Sequence, residues 1–296
     1  MSLRVHAPTA IVFLCGGALE EGSKPPSGFR DLYFRLHPKS TTSYRIILAE
    51  EAHPLEESAG YGDLLSFESD IAQVVALIVL FVESAGSLAE LGAFAALETV
   101  APSLLAILTD HHYAQSSFIM NGPIRFLERR HGEESVLALD SEELKISPND
   151  ISVIEQVAFQ ATIEKAIEER LNRLDKWSKF DPNNAGHIIM AITGLCQEFG
   201  ALIEKEIREF SSYFGVNDIR FTNYVYCAEL LGWIKKVRKG NHIYYVAVDA
   251  EQAINFKFIE GVKSRDKARW RSNIRIYWQE TDSPRMRAIQ QVNSGS

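Results

Sequence analysis

ALIVLFVESAGSLAELGAF, residues 76–94, is the stretch on which the reading of the fold turns. Ala76–Val82 is apolar throughout, as a parallel strand covered on both faces would be. Glu83-Ser84-Ala85-Gly86-Ser87 follows as a turn, with Gly86 letting the backbone bend sharply, and residues 88–98 carry helical spacing. A buried strand running straight into a helix is the repeating step of an α/β sheet.

Working outward, the step recurs. Residues 10–15 (AIVFLC) are an apolar run closed by Gly16-Gly17. Tyr44–Ala49 predicts a second strand, Leu104–Thr109 a fourth and Ser135–Leu139 a short fifth. Residues 22–43, rich in Gly, Pro, Ser and Thr, make a loop with room for one short helix. Residues 63–75 have helical spacing, with Leu64, Leu65, Phe67, Ile71, Val74 and Val75 on the apolar side. The fold class expected is α/β, an open parallel sheet flanked by helices. Right-handed crossovers start every helix that follows a strand at the sheet's carboxyl edge, where such folds bind ligands. Glu68, early in its helix, and Glu90, in the first turn of the next, are therefore expected at one crevice.

Beyond about residue 150 the pattern changes. One long helix is predicted over 151–180, ending near Asp181-Pro182-Asn183-Asn184, and another over about 186–210. Phe221–Ile234 reads as an amphipathic helix, followed by Lys235–Arg238, the turn Lys239-Gly240-Asn241 and the run His242–Val248. A helix leading into a two-stranded hairpin is the plan of a winged helix-turn-helix domain. The boundaries expected are 1–145 for the sheet domain, 146–199 for a helical connector and 200–296 for the winged helix.

With 296 residues, 46% hydrophobic and 24% charged, the chain has room for about two domains. No apolar run approaches the ~18 residues of a spanning helix, so no membrane partner is expected. The first run is also too short for the core of a signal peptide. Cys15, Cys196 and Cys227 have neither disulfide nor zinc spacing and point to a reducing cytoplasm. His111, His112, His131 and His187 lack ligand spacing, so no metal is expected. The net charge of −8 is unevenly divided: residues 1–199 carry 15 Lys+Arg against 28 Asp+Glu, residues 200–296 carry 16 against 11. A basic third on an acidic body suggests a polyanionic partner, with Lys235, Lys236, Arg238 and Lys239 on the wing. Further cations from Lys263 to Arg275, interleaved with Trp270, Tyr277 and Trp278, extend the basic tract. Trp233, Tyr244 and Trp278 themselves read better as core.

Two readings compete for Glu90. Ser87-x-x-Glu90 matches a capping box, in which the Glu bonds back to the Ser amide. Alternatively, a carboxylate at the carboxyl edge, with Glu68 arriving beside it, suits a glycosidic carbon, which needs an anion next to a developing oxocarbenium ion.

The series IVFLCGG, DLLSFESDIA, ALIVLFVESAGSLAELGAF, LLAILTD and SSFIMNGPIRFL, over about residues 10–140, resembles the nucleoside deoxyribosyltransferase-like domain of retron-associated effector proteins. That resemblance implies a flavodoxin-like sheet followed by a winged helix, and an anti-phage toxin paired with a reverse transcriptase and its multicopy single-stranded DNA–RNA hybrid (msDNA). It implies Glu90 as nucleophile, Glu68 as a carboxylate near the sugar and leaving base, and Cys15, Gly16 and Gly17 on the pocket loop. It also implies Ser84, Gly86 and Ser87 at the sugar, Glu83 beside them and Asn121 in a further loop. Where the transferases carry an Asp in the turn, this chain has Ser84 next to Glu83, which speaks against base exchange. The substrate implied is NAD, split into nicotinamide and ADP-ribose, with no cofactor besides. A homo-oligomer or larger assembly is expected. Two other functions fit the same residues: a deoxynucleoside or nucleotide N-glycosidase, and a non-catalytic nucleotide sensor coupled to a DNA-binding repressor.

Overall fold

The computed structural model describes residues 3–20, 24–37, 43–147, 151–173, 177–217, 220–248, 251–256 and 266–294. Its largest sheet is built from β1 (Ile11–Cys15), β2 (Arg45–Leu48), β3 (Leu77–Phe81), β4 (Leu104–Thr109) and β5 (Val136–Leu139). Each lies within one residue of the range read from the sequence. The order is β2-β1-β3-β4-β5 and every pairing is parallel. Winding in this order reverses between β1 and β3, and the ligand crevice of such a sheet opens at their carboxyl ends.

Register explains the packing. Val12 lies beside Leu77 and Leu14 beside Val79, so alternate residues face one way. On that face they meet Leu32 and Tyr33 of α1 (Phe29–Leu36) and Phe159, Ile163 and Ile167 of α6 (Gln156–Leu171). The helix after β3, α3 (Ala85–Ala96), packs on β3 and β4. After β4 come α4 (Asp110–Ala114), a π-helical turn at Met120–Ile124, and α5 (Arg125–His131).

The chain forms two compact units that interleave in sequence. The sheet unit is Ala10–Glu51 with Val75–Leu174; the other is Met1–Thr9, Ala52–Val74 and Asp175–Ser296. The boundaries read from the sequence were contiguous, and these are not. Helix α2 (Leu64–Ala72), although it lies between β2 and β3 in sequence, belongs to the second unit. There it packs against α7 (Ala185–Phe199) and α9 (Phe221–Leu230). Phe67 and Ile71 are buried, whereas Leu64 and Leu65 are more than half exposed.

The single helix expected over 186–210 is in fact two. Gly200, at φ +80°, ends α7; Ala201–Leu202 then forms a short strand, β6, before α8 (Glu204–Ser212). A residue with a Cβ adopts that φ only at a cost, which is why the break falls at the glycine. Gly232, at φ +69°, likewise stops α9 short of Ile234. β7 (Ile234–Lys239) and β8 (His242–Ala247) form a hairpin around Gly240 at φ +60°, and β6 pairs with β8. Trp233 and Tyr244 are buried. Trp278 is partly so: its indole N–H donates to the Phe199 carbonyl at 2.9 Å, and the Arg285 guanidinium sits 3.8 Å over its ring. A third, small antiparallel sheet joins Arg4–Val5 to Ser178–Lys179 and Ile254–Asn255. Helices α10 (Lys267–Thr281) and α11 (Ser283–Asn293) complete the unit, while Lys263 and Arg265 lie outside the described residues. No described helix is long and apolar enough to cross a membrane.

Gly186, at the start of α7, lies tight against the C-cap of α2: a Cβ there would stand 1.9 Å from the Gln73 carbonyl oxygen. Helix propensity alone would make Gly186→Ala stabilising by about 1 kcal/mol. Backbone has no room to yield, so we expect the opposite sign, a loss of about 1–3 kcal/mol in urea titration.

Candidate functional site at the switch point of the sheet

β3 ends at Phe81, and two residues later Glu83 reaches across to α1. The N-cap of α1 is Gly28, which has no side chain with which to accept the first free amides. Glu83 supplies the missing acceptor: its carboxylate accepts from the amides of Phe29 at 2.6 Å and Arg30 at 3.1 Å. Two glycines make that approach possible, since a Cβ on Gly28 would lie 2.5 Å, and one on Gly17 2.8 Å, from its oxygens. Gly16, at φ +141°, has its own reason to be glycine, for a Cβ would meet the Phe81 carbonyl oxygen at 2.9 Å. Burial pushes the Glu83 carboxyl above the usual range, against the pull of the amides of Phe29, Arg30 and Gly17 and of the Arg30 charge.

Arg30 is 1% exposed. Its guanidinium donates to the carbonyls of Leu14 and Gly17, both at 2.8 Å, and to both carboxylate oxygens of Glu50 at 2.5 Å. A forked cation thus ties the end of β1 to the segment after β2. Glu50 is held below the ordinary carboxylate range: burial would raise it, but the bonds and charge of Arg30 outweigh that.

Glu90 sits among these groups without being matched to them. It is half-buried, and its Oε2 has no hydrogen-bond partner among the described residues; neither has Arg30 Nε. Burial raises its carboxyl, Arg30 draws it down and Glu50 pushes it up again. An unmade bond on a buried carboxylate costs about 1–3 kcal/mol. At the switch point of an open parallel sheet, such a group is a functional candidate.

The capping-box reading of Glu90 is overturned. The N-cap of α3 is Ser84, and Ser84 and Ser87 make the reciprocal box between themselves. Ser87 Oγ accepts from the amides of Ser84 at 2.8 Å and Glu83 at 3.0 Å, and Ser84 Oγ accepts from the Ser87 amide at 3.1 Å. Glu90 therefore falls in the second turn, not the first. Gly86 lies inside α3, and the sharp turn belongs to the Ser84 cap rather than to it. Cys15 is buried at the end of β1. Of the residues read as a pocket, Gly16, Gly17, Glu83 and Glu90 converge on Arg30. Asn121 does not: its side chain donates to Ser116 Oγ at 3.3 Å, and it lines a separate cleft with Gly92. Glu68 rides on α2 in the second unit. Arg30 and Glu50 went unread; Glu50 stands at the carboxyl end of β2, the position that singled out Glu83.

On the hairpin, Lys235, Lys236 and Arg238 are exposed and Lys239 partly so. Lys236 is paired with Glu229 at 2.8 Å, whereas Lys235, Arg238 and Lys239 form no ion pair among the described residues. On α10, Arg271 pairs with the buried Glu198 at 2.7 Å, so that part of the basic tract serves the fold. The three cysteines are buried and form no disulfide, and no group of metal-ligating side chains is present among the described residues.

A family model described as STM3845 retron effector protein matches residues 26–236. A retron Ec86 protein of Escherichia coli, whose name carries both a ribosyltransferase and a DNA-binding description, is 36% identical over 132 residues. The match covers 45% of this chain and 41% of that relative's length.

Removing the Glu83 carboxylate leaves the first amides of α1 without acceptors. Glu83→Ala is expected to lower stability by about 1–3 kcal/mol, read as a lower denaturation midpoint with unchanged slope.

Proposed function

Because this chain belongs to the STM3845 retron effector family, we propose that its sheet unit is an N-glycosidase. It hydrolyses NAD to nicotinamide and ADP-ribose, with Glu90 as the carboxylate at the anomeric carbon. The observation that carries this reading is the unmatched Oε2 of the half-buried Glu90, on the helix that follows β3 at the switch point of the sheet. A carboxylate so held lacks a partner until a substrate supplies one.

The chemistry follows from the charges. Nicotinamide in NAD is cationic, so the bond from C1′ to nitrogen breaks with its electron pair passing to the ring and needs no strong acid. The ribosyl cation that develops meets Glu90, which stabilises it or bonds to C1′. Water then adds to C1′ and releases a proton. The Arg30–Glu50 pair keeps the lip of the crevice fixed, and Glu83 holds the loop that forms its wall. In this reading the enzyme is a toxin for defence against phage, acting in the cytoplasm as a homo-oligomer or larger assembly. Its restraint and release lie with the retron reverse transcriptase and msDNA. The element order α7, β6, α8, α9, β7, β8 supports a winged-helix reading of this segment, in which Lys235, Arg238 and Lys239 would offer phosphate contacts to such a hybrid.

Purified protein, alone and with its reverse transcriptase and msDNA, is to be incubated with NAD and with deoxynucleoside monophosphates while base release is followed. Turnover of NAD, lowered at least about 10²–10³-fold by Glu90→Gln, is the expected result. No turnover in any assembly, or full turnover by Glu90→Gln, overturns the reading; deoxynucleotide turnover alone reassigns the substrate. Glu68→Gln in the same assay decides whether α2 contributes the second carboxylate.

The pH profile is a further check. Glu90 must be ionised to act, and its carboxyl titrates above the ordinary range. As pH falls, kcat/KM should therefore drop with a midpoint above the ~4.3 of a free glutamate.

A further inference from the structure

A second cleft of about 680 Å³ opens on the sheet unit, between α3 and the segment that runs through the π-helical turn into α5. Gly92 lines it. In the ELG triplet this glycine follows Glu90 by two residues, about 200° around the helix. A Cβ on Gly92 would meet nothing within 4 Å, so no protein neighbour accounts for the missing side chain. The space beside it is the cleft itself.

The opposite wall is unusual for this unit. Residues 10–51 and 75–174 carry 12 Lys+Arg against 20 Asp+Glu. Yet Arg125, Arg129 and Arg130 stand together in the cleft, and their guanidinium groups make no hydrogen bond or ion pair among the described residues. Nearby carboxylates are turned elsewhere, Glu128 accepting from the Tyr113 hydroxyl at 2.7 Å and Glu134 pairing with Arg173. Two aromatic rings share the wall: Phe118 is 86% exposed and Phe126 39%, with Arg130 lying 5.4 Å from the Phe126 ring centre.

We infer that this cleft binds single-stranded nucleic acid, with phosphates on Arg125, Arg129 and Arg130 and an unpaired base on Phe118. Arginines without partners in an acidic unit supply the backbone contacts, and exposed ring faces supply the stacking that any base accepts. Arg125 and Arg129 are one helical turn apart, ~6 Å along the axis, so successive phosphates of an extended strand can meet them in turn. A duplex would keep its base faces inside and leave Phe118 unused. The assignment is independent of the chemistry proposed at Glu90.

The test uses the full chain with Lys235, Lys236, Arg238 and Lys239 replaced by Gln, so that the hairpin's charges do not mask the cleft. The probe is a fluorescent 20-nucleotide oligothymidylate, titrated by anisotropy across a salt series. Arg125→Gln, Arg129→Gln and Arg130→Gln together are expected to weaken binding and flatten the slope of log K against log salt by about 2, near 0.7 per lost phosphate contact. Phe118→Ala should weaken binding about tenfold and leave the slope unchanged. Independently of any substitution in the cleft, a bromodeoxyuridine strand irradiated with the unsubstituted chain should crosslink at Phe118 or Phe126. Any of four results overturns the inference: no binding by the parent; an unchanged slope in the triple variant; a silent Phe118→Ala with equal displacement by heparin, which would leave a generic polyanion surface; or displacement of the strand by micromolar free nucleotide, which would make the cleft a small-molecule site.

Discussion

Glu83 places a carboxylate at the start of a helix that has no cap of its own, and most of the site follows from that contact. The bonds to Phe29 and Arg30 fix where α1 begins, and so fix Arg30. Arg30, once buried, requires acceptors for its remaining donors. It finds them on Leu14, Gly17 and Glu50, drawing the ends of β1 and β2 around itself. The contact demands glycine at 17 and 28, and the register of β1 on β3 demands it at 16. Loop, helix and strand ends are thereby over-determined. Glu90 is the one carboxylate of the set left with an oxygen to offer.

Much of this fold was legible in the chain. Parallel strands buried on both faces leave a strong mark, unbroken apolar runs closed by glycine or a polar turn, and all five were readable to within a residue. Helix ends were less so. Ser84 and Ser87 both suit a cap, and spacing alone does not tell which one opens α3; the choice moves Glu90 by a full turn. The break at Gly200 was hidden because Ala201 and Leu202 look helical, and only their pairing with β8 makes them a strand.

The site was half legible. Rules about strand ends found Glu83 and Glu90, since both stand where a buried strand gives way to a helix. Arg30 left no such mark: it lies in a stretch whose composition says loop, and its burial depends on partners 13 and 20 residues away in sequence. Helix α2 shows the converse limit. It has the right spacing and the right place between two strands for a crossover helix, yet it packs against α7 and α9, where Phe67 and Ile71 are buried. Periodicity identifies a helix's buried side, not the element that buries it.

The interleaving of the two units bears on how the chain is made. The sheet unit has all of its residues once position 174 has been synthesised, whereas the other still lacks everything from 175 onward. Emergence from the ribosome is therefore staggered: the half bearing Glu90 is complete while α2, already translated, still waits for α7 and α9. A nascent chain in that interval holds Arg30, Glu50, Glu83 and Glu90 without the basic hairpin, so any restraint exercised through the hairpin waits until residues 234–247 have followed.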